Sequence, residues 1–136
     1  MRKIAIALTV TATLLGTAAI DAKPKLTPQA ELEKLLEGRV AGKPVHCISH
    51  IDTRNMRVLD KTAIVYGWGN VIYVNRPKNA QDLDDDDIMV TRTSSSNLCD
   101  LDIIQTLDRG GHFPTGFVSL GEFVPYRRAA KVAAAD

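Results

Sequence analysis

The chain has 136 residues, with 17 Lys and Arg against 16 Asp and Glu and a formal net charge of +1. That balance lacks the basic field that nucleic acid or an anionic membrane surface calls for. The length allows one modest domain with its own core.

At the N-terminus a short positive region, Arg2-Lys3, precedes an apolar run from Ile4 to Leu15 that only threonines interrupt. Small residues follow in Thr17-Ala18-Ala19 and Ile20-Asp21-Ala22. This is the build of a secretory signal peptide, and the run is too short to span a bilayer as a helix. Cleavage is expected after Ala19 or Ala22, with Ala22 preferred, so that residues 1–22 are removed. No cysteine stands at that junction to carry a lipid. The mature chain then carries 15 basic (17 − 2) and 15 acidic (16 − 1) residues. It has no second apolar segment of membrane-spanning length and is expected to be periplasmic or secreted.

In an oxidising compartment the only two cysteines, Cys47 and Cys99, are most simply a disulfide. Closing a loop of that length is worth about 4 kcal/mol in chain entropy, comparable with the whole stability of a small domain. No C-x-x-C pair points to redox or nucleophilic chemistry instead.

After a polar leader, Thr27 and Pro28 read as N-cap and first residue of a helix. Leu32, Leu35 and Leu36 form its apolar stripe, and Gly38 stops it. About three turns of helix are marginal alone, so the stripe must dock on the sheet. Ala41 to Pro44 is a connector. From Val45 to Ile51 the period becomes two, with Val45, Cys47, Ser49 and Ile51 on one face and His46, Ile48 and His50 on the other. Met56–Leu59, Thr62–Tyr66 and Val71–Val74 form a three-strand meander, with a turn at Asp60-Lys61 and a hairpin turn at Gly67-Trp68-Gly69-Asn70.

Arg76 to Asp87 reads as a loop, Ile88 to Thr93 as a strand, and Thr93 to Asn97 as a polar turn. Leu98 to Leu107 reads as one strand with Cys99, Leu101 and Ile103 on one face and Asp100 and Asp102 on the other, an antiparallel sheet with one wet side. Asp108 to Gly116 is a glycine-rich loop holding His112 and Pro114. Phe117 to Tyr126 reads as a last edge strand, bent at Gly121 and ending at Pro125. The fold class is mainly β (α+β): a twisted antiparallel sheet or small barrel of six to seven short strands with one N-terminal helix. One disulfide-bridged domain covers 23–128, and 129–136 is an alanine-rich tail.

The residues offer few sites. Asp82, Asp84, Asp85, Asp86 and Asp87 are oxygen donors for a hard cation, but consecutive residues of an extended run alternate sides, and a solvated acidic turn is the plainer reading. His46 and His50 share a face roughly 13 Å apart, too far for one metal on a straight strand. Ser49, His50 and Asp52 are the residue types of a hydrolase, but Ser49 and His50 point oppositely, and no G-x-S-x-G or H-E-x-x-H motif is present. No cofactor is implied. Trp68 at a hairpin tip, with Tyr66 and Tyr73 nearby, is the candidate partner contact.

The segments Cys47-Ile48-Ser49, Arg57 to Ile64, Tyr73-Val74-Asn75-Arg76, Asn97-Leu98-Cys99 and Leu120 to Tyr126 together resemble an uncharacterised family of small exported Gram-negative proteins, over roughly residues 40–126. Some members of that family carry a further cysteine pair, where this chain has Pro77 to Leu83 and Gly116-Phe117-Val118. The resemblance implies an exported domain and assigns no activity or ligand. The functional expectation is a non-enzymatic binding or envelope-associated module whose partner is an envelope protein or a small ligand. The alternative is a small hydrolase or divalent-metal protein built on His46, His50 and the Asp82–Asp87 cluster.

Overall fold

The structure is a computed structural model and describes residues 24–93 and 95–130. The expected signal peptide and most of the expected tail lie outside those residues.

Helix α1 (Pro28–Leu36) starts where its local signals place it. Thr27 is extended, and its Oγ1 accepts a hydrogen bond from the Ala30 N–H at 3.3 Å. Gly38, at φ +69°, turns the chain out of the helix, a conformation that costs other residues a Cβ clash. Ten strands follow, more than the six to seven expected: β1 (Arg39–Ala41), β2 (Cys47–Ser49), β3 (Met56–Leu59), β4 (Ala63–Trp68), β5 (Val71–Asn75), β6 (Ile88–Thr91), β7 (Asn97–Cys99), β8 (Ile103–Leu107), β9 (Pro114–Ser119) and β10 (Phe123–Arg128). They form three antiparallel sheets and no closed barrel. The main sheet has the order β1-β10-β5-β4-β3, a second has β6-β8-β9, and β2 pairs with β7 as a two-stranded ribbon.

The meander of β3, β4 and β5 is as expected, with one change. β4 runs on through Gly67 to Trp68, which pairs with Val71, so the turn is Gly69-Asn70 alone. β4 also explains why the main sheet has no wet side. Its residues alternate between two cores. Ile64 and Tyr66 join Ile48, Leu83, Leu98, Ile104, Val118, Leu120 and Phe123 on the face covered by the second sheet and the ribbon. Ala63 and Val65 join Leu32, Leu59, Ile72 and Val74 on the face covered by α1, with Leu35 and Leu36 packed alongside. The helix stripe therefore docks on the sheet as its marginal length requires.

Two expected strands are each broken in two. Within 98–107 the chain turns at Asp100-Leu101, and the Asp102 carboxylate accepts the Cys99 N–H at 2.7 Å. The turn leaves the alternation in phase, with Leu98 buried before it. Ile104 and Thr106 become the buried residues, while Leu101 and Ile103 face solvent, the reverse of the expected faces. Within 117–126, β9 and β10 belong to different sheets, and Gly121 lies in the crossing between them. Nor is β10 an edge. It lies between β1 and β5 with Pro125 inside it. The proline is tolerated because the Pro125 carbonyl accepts from Gly42, just past the end of β1. Its missing N–H faces that same side, where no ladder bond of β1 is lost. The connector reading at Ala41 also gives way, since that residue ends β1. The expected strand 45–51 shrinks to β2, with Val45 making a lone bridge to Phe123.

Tyr66 is 1% exposed and meets Phe123 edge-to-face at a centroid distance of 5.8 Å. It is a core residue, not a partner contact, and burial pushes its phenol pKa upward. Among the described residues its hydroxyl has no hydrogen-bond partner. Tyr66→Phe removes a desolvated polar group without opening a cavity, and is expected to leave stability unchanged or raise it by up to ~1 kcal/mol. Equilibrium denaturation checks this; a loss larger than that would mean the hydroxyl is bonded.

Candidate functional site

The disulfide Cys47–Cys99 is formed, and it is the cross-strand link of the ribbon, whose register pairs Cys47 with Cys99 directly. Antiparallel pairing then sets the flanking residues opposite each other. His46 precedes one cysteine and Asp100 follows the other, and the Asp100 N–H donates to the His46 carbonyl at 2.8 Å. Their side chains also meet, with His46 Nδ1 2.8 Å from Asp100 Oδ2. Glu122 completes the cluster, its Oε1 3.8 Å from the same Nδ1. It arrives from the crossing before β10, held by the bridge of Val45 to Phe123. The imidazole is open to solvent, with its side chain 75% exposed, while Asp100 is mostly covered.

The hydrogen bond to Asp100, and then the charges of Asp100 and Glu122, raise the His46 pKa above its ordinary value. The folded protein thus favours the imidazolium. Its contribution is present at low pH and fades as the pH rises through that raised value.

His50 does not join this cluster. No hydrogen bond links its ring to Ser49 or Asp52 among the described residues; the Ser49 hydroxyl instead accepts from the Ile51 N–H at 3.3 Å. Asp82, Asp84 and Asp87 line one open pocket with Asp108, but among the described residues the aspartates form no set of three within ligand distance of one another. Asp82 accepts from Asn79, Asp84 accepts the Asp86 N–H, Asp86 pairs with Arg109, and Asp87 accepts from Thr115. Among the described residues, His46, Asp100 and Glu122 are the one set of metal-ligating side chains brought together.

The second feature is a groove of about 450 Å³ between the C-terminal end of α1 and the β4–β5 hairpin. Arg39, Arg54, Arg57, Met56 and Trp68 line it, together with Leu35, Val65 and Ile72 at its apolar base, and none of its lining residues is acidic. Trp68 is 78% exposed and Met56 is also exposed. Tyr73, the other expected contact, is half-buried and packs on the core under the second sheet. Arg39 is committed to structure: its Nε donates to the Leu35 carbonyl and its two terminal nitrogens to Asn70 and Gly69. Burial, and then Arg128 beside it, lower its pKa from the usual arginine value. Arg57 pairs with Glu31 at 3.0 Å. Arg54 makes no side-chain hydrogen bond or ion pair among the described residues, so its guanidinium is available.

Sequence reasoning located Trp68 but not the arginines around it, which come from the start of β1, the turn before β3 and β3 itself. The pairing of His46 with Asp100 follows from the antiparallel register of β2 with β7, which the disulfide by itself does not specify. No sequence signal marked Glu122. No family model, curated protein or solved structure matches the chain.

Proposed function

We propose that this protein is an exported, non-enzymatic binding module, acting in the periplasm or beyond it, that takes an acidic segment of an envelope protein into the groove beside Trp68. The observation that carries the reading is the lining of that groove: three arginines, an exposed tryptophan and methionine, and no carboxylate. Tryptophan and arginine are the residues that most often dominate binding energy. A planar guanidinium takes a carboxylate through two parallel hydrogen bonds, and the groove's volume falls within the range of sites that enclose a ligand. The disulfide, the leader-like N-terminus and the resemblance to small exported proteins support the compartment.

Trp68 is the only tryptophan in the chain, so its fluorescence reports occupancy of the groove directly. A short peptide alternating glutamate and leucine is expected to give a saturable change that weakens with salt. Arg54→Ala, which breaks no side-chain hydrogen bond or ion pair among the described residues, should weaken binding at least about tenfold. An equal response to the peptide with lysine in place of glutamate, or undiminished binding by Arg54→Ala, would sink the reading.

A further inference from the structure

From the convergence of His46, Asp100 and Glu122 at the ribbon, we propose a divalent transition-metal site, with zinc as its natural occupant. It lies apart from the arginine groove, shares no residue with it, and does not depend on the binding function inferred there.

The donor set is one imidazole nitrogen and two carboxylates, the ligand types zinc accepts alongside thiolate. Bonds of about 2.0–2.1 Å in a tetrahedral site place ligand atoms about 3.3 Å apart. The distances from His46 Nδ1, 2.8 Å to Asp100 and 3.8 Å to Glu122, straddle that value. All three donor atoms lie within 4.8 Å of one another. Shifts of about half an ångström bring both distances from His46 to that value, and the two carboxylates, within 4.8 Å of each other, close by at most about 1.5 Å. Glu122 can supply the larger one, because its side chain is half exposed and it lies outside any strand.

The backbone around the ligands is already fixed. The disulfide joins the residues next to His46 and Asp100, and the Asp100 N–H to His46 carbonyl bond locks their relative height. Coordination through Nδ1 leaves Nε2 pointing away, and the exposure of the imidazole leaves room for water in the remaining position. Because Glu122 precedes β10 of the main sheet while His46 and Asp100 belong to the ribbon segments, a bound ion clips the ribbon to the main sheet. A pair of carboxylates on a neutral imidazole carries excess negative charge, which the cation neutralises.

The test is calorimetric and NMR titration of the disulfide-intact, chelator-treated protein with ZnCl₂. One equivalent is expected to bind, with the His46 ring resonances moving together with the amides of Asp100 and Glu122. His46→Gln, an exposed position whose folding is checked by its melting curve, should weaken binding by more than tenfold. Glu122→Gln should weaken it several-fold and leave the His46–Asp100 contact in place. Binding that His46→Gln does not diminish belongs to His50 or His112 and overturns the proposal. So does the absence of saturable binding at millimolar zinc, which would leave the cluster as an ion pair only.

Discussion

Replacing Cys47 and Cys99 together by serine is expected to lower stability by about 4 kcal/mol, the chain-entropy value for a bridge of sequence separation 52. The double substitution isolates the cross-link, because Cys47 is exposed and Cys99 half-buried, so little apolar burial is lost with the sulfurs. The structure adds a second reason for a large effect. The ribbon of β2 and β7 has no third strand, and a two-stranded hairpin-like pair is marginal on its own. It nevertheless carries Ile48 and Leu98 into the core beneath the main sheet. Without the bridge these two can leave together, and the core opens on one side. Denaturant unfolding of the double variant beside the wild type measures the difference; a loss below about 1 kcal/mol would show that the ribbon is held by packing alone. Reduction of the wild type should reproduce the variant's unfolding midpoint.

A loss of similar size is expected at the crossing between β9 and β10. Asn75, fully buried at the end of β5, is bonded on both sides to one residue: its Nδ2 donates to the Gly121 carbonyl, and its Oδ1 accepts the Gly121 N–H at 3.1 Å. Asn75→Leu leaves both of those backbone groups without partners in a mostly covered site, at about 1–3 kcal/mol each. The sum is a loss of about 2–6 kcal/mol. Gly121→Ala attacks the same point sterically. A Cβ there would stand 2.5 Å from the Arg76 carbonyl oxygen, and backbone cannot yield as a flexible side chain can, so about 1–3 kcal/mol is expected from overpacking. The two substitutions act on one contact and should be markedly non-additive in the double variant. Additive losses would mean that the crossing is not pinned by the asparagine. Because Glu122 follows Gly121, either substitution should also loosen its approach to His46.

How much of this was written in the sequence depends on the range over which each signal acts. Helix α1, its threonine cap, its leucine stripe and its glycine stop were legible because each acts within a turn or two of helix. The meander was legible because period-two alternation and tight turns are also local. The disulfide followed from cysteine count and compartment, but the opposition of His46 and Asp100 needed the antiparallel register of β2 and β7. The rest depended on contacts between distant residues. Strand periodicity distinguishes one face from the other but not how many layers will cover them, so burial of the main sheet on both sides, by α1 and by the second sheet, was not readable. The break at Asp100–Asp102 looked like a continuous strand, because a carboxylate capping Cys99 interrupts the chain while Leu98, Ile104 and Thr106 keep one alternation; at Gly121 burial passes from Val118 and Leu120 to Phe123 and Pro125, a slip held by the distant Asn75 clamp. The gathering of three arginines around Trp68, and of Glu122 beside His46, came from the packing of separate elements, which only the tertiary structure decides.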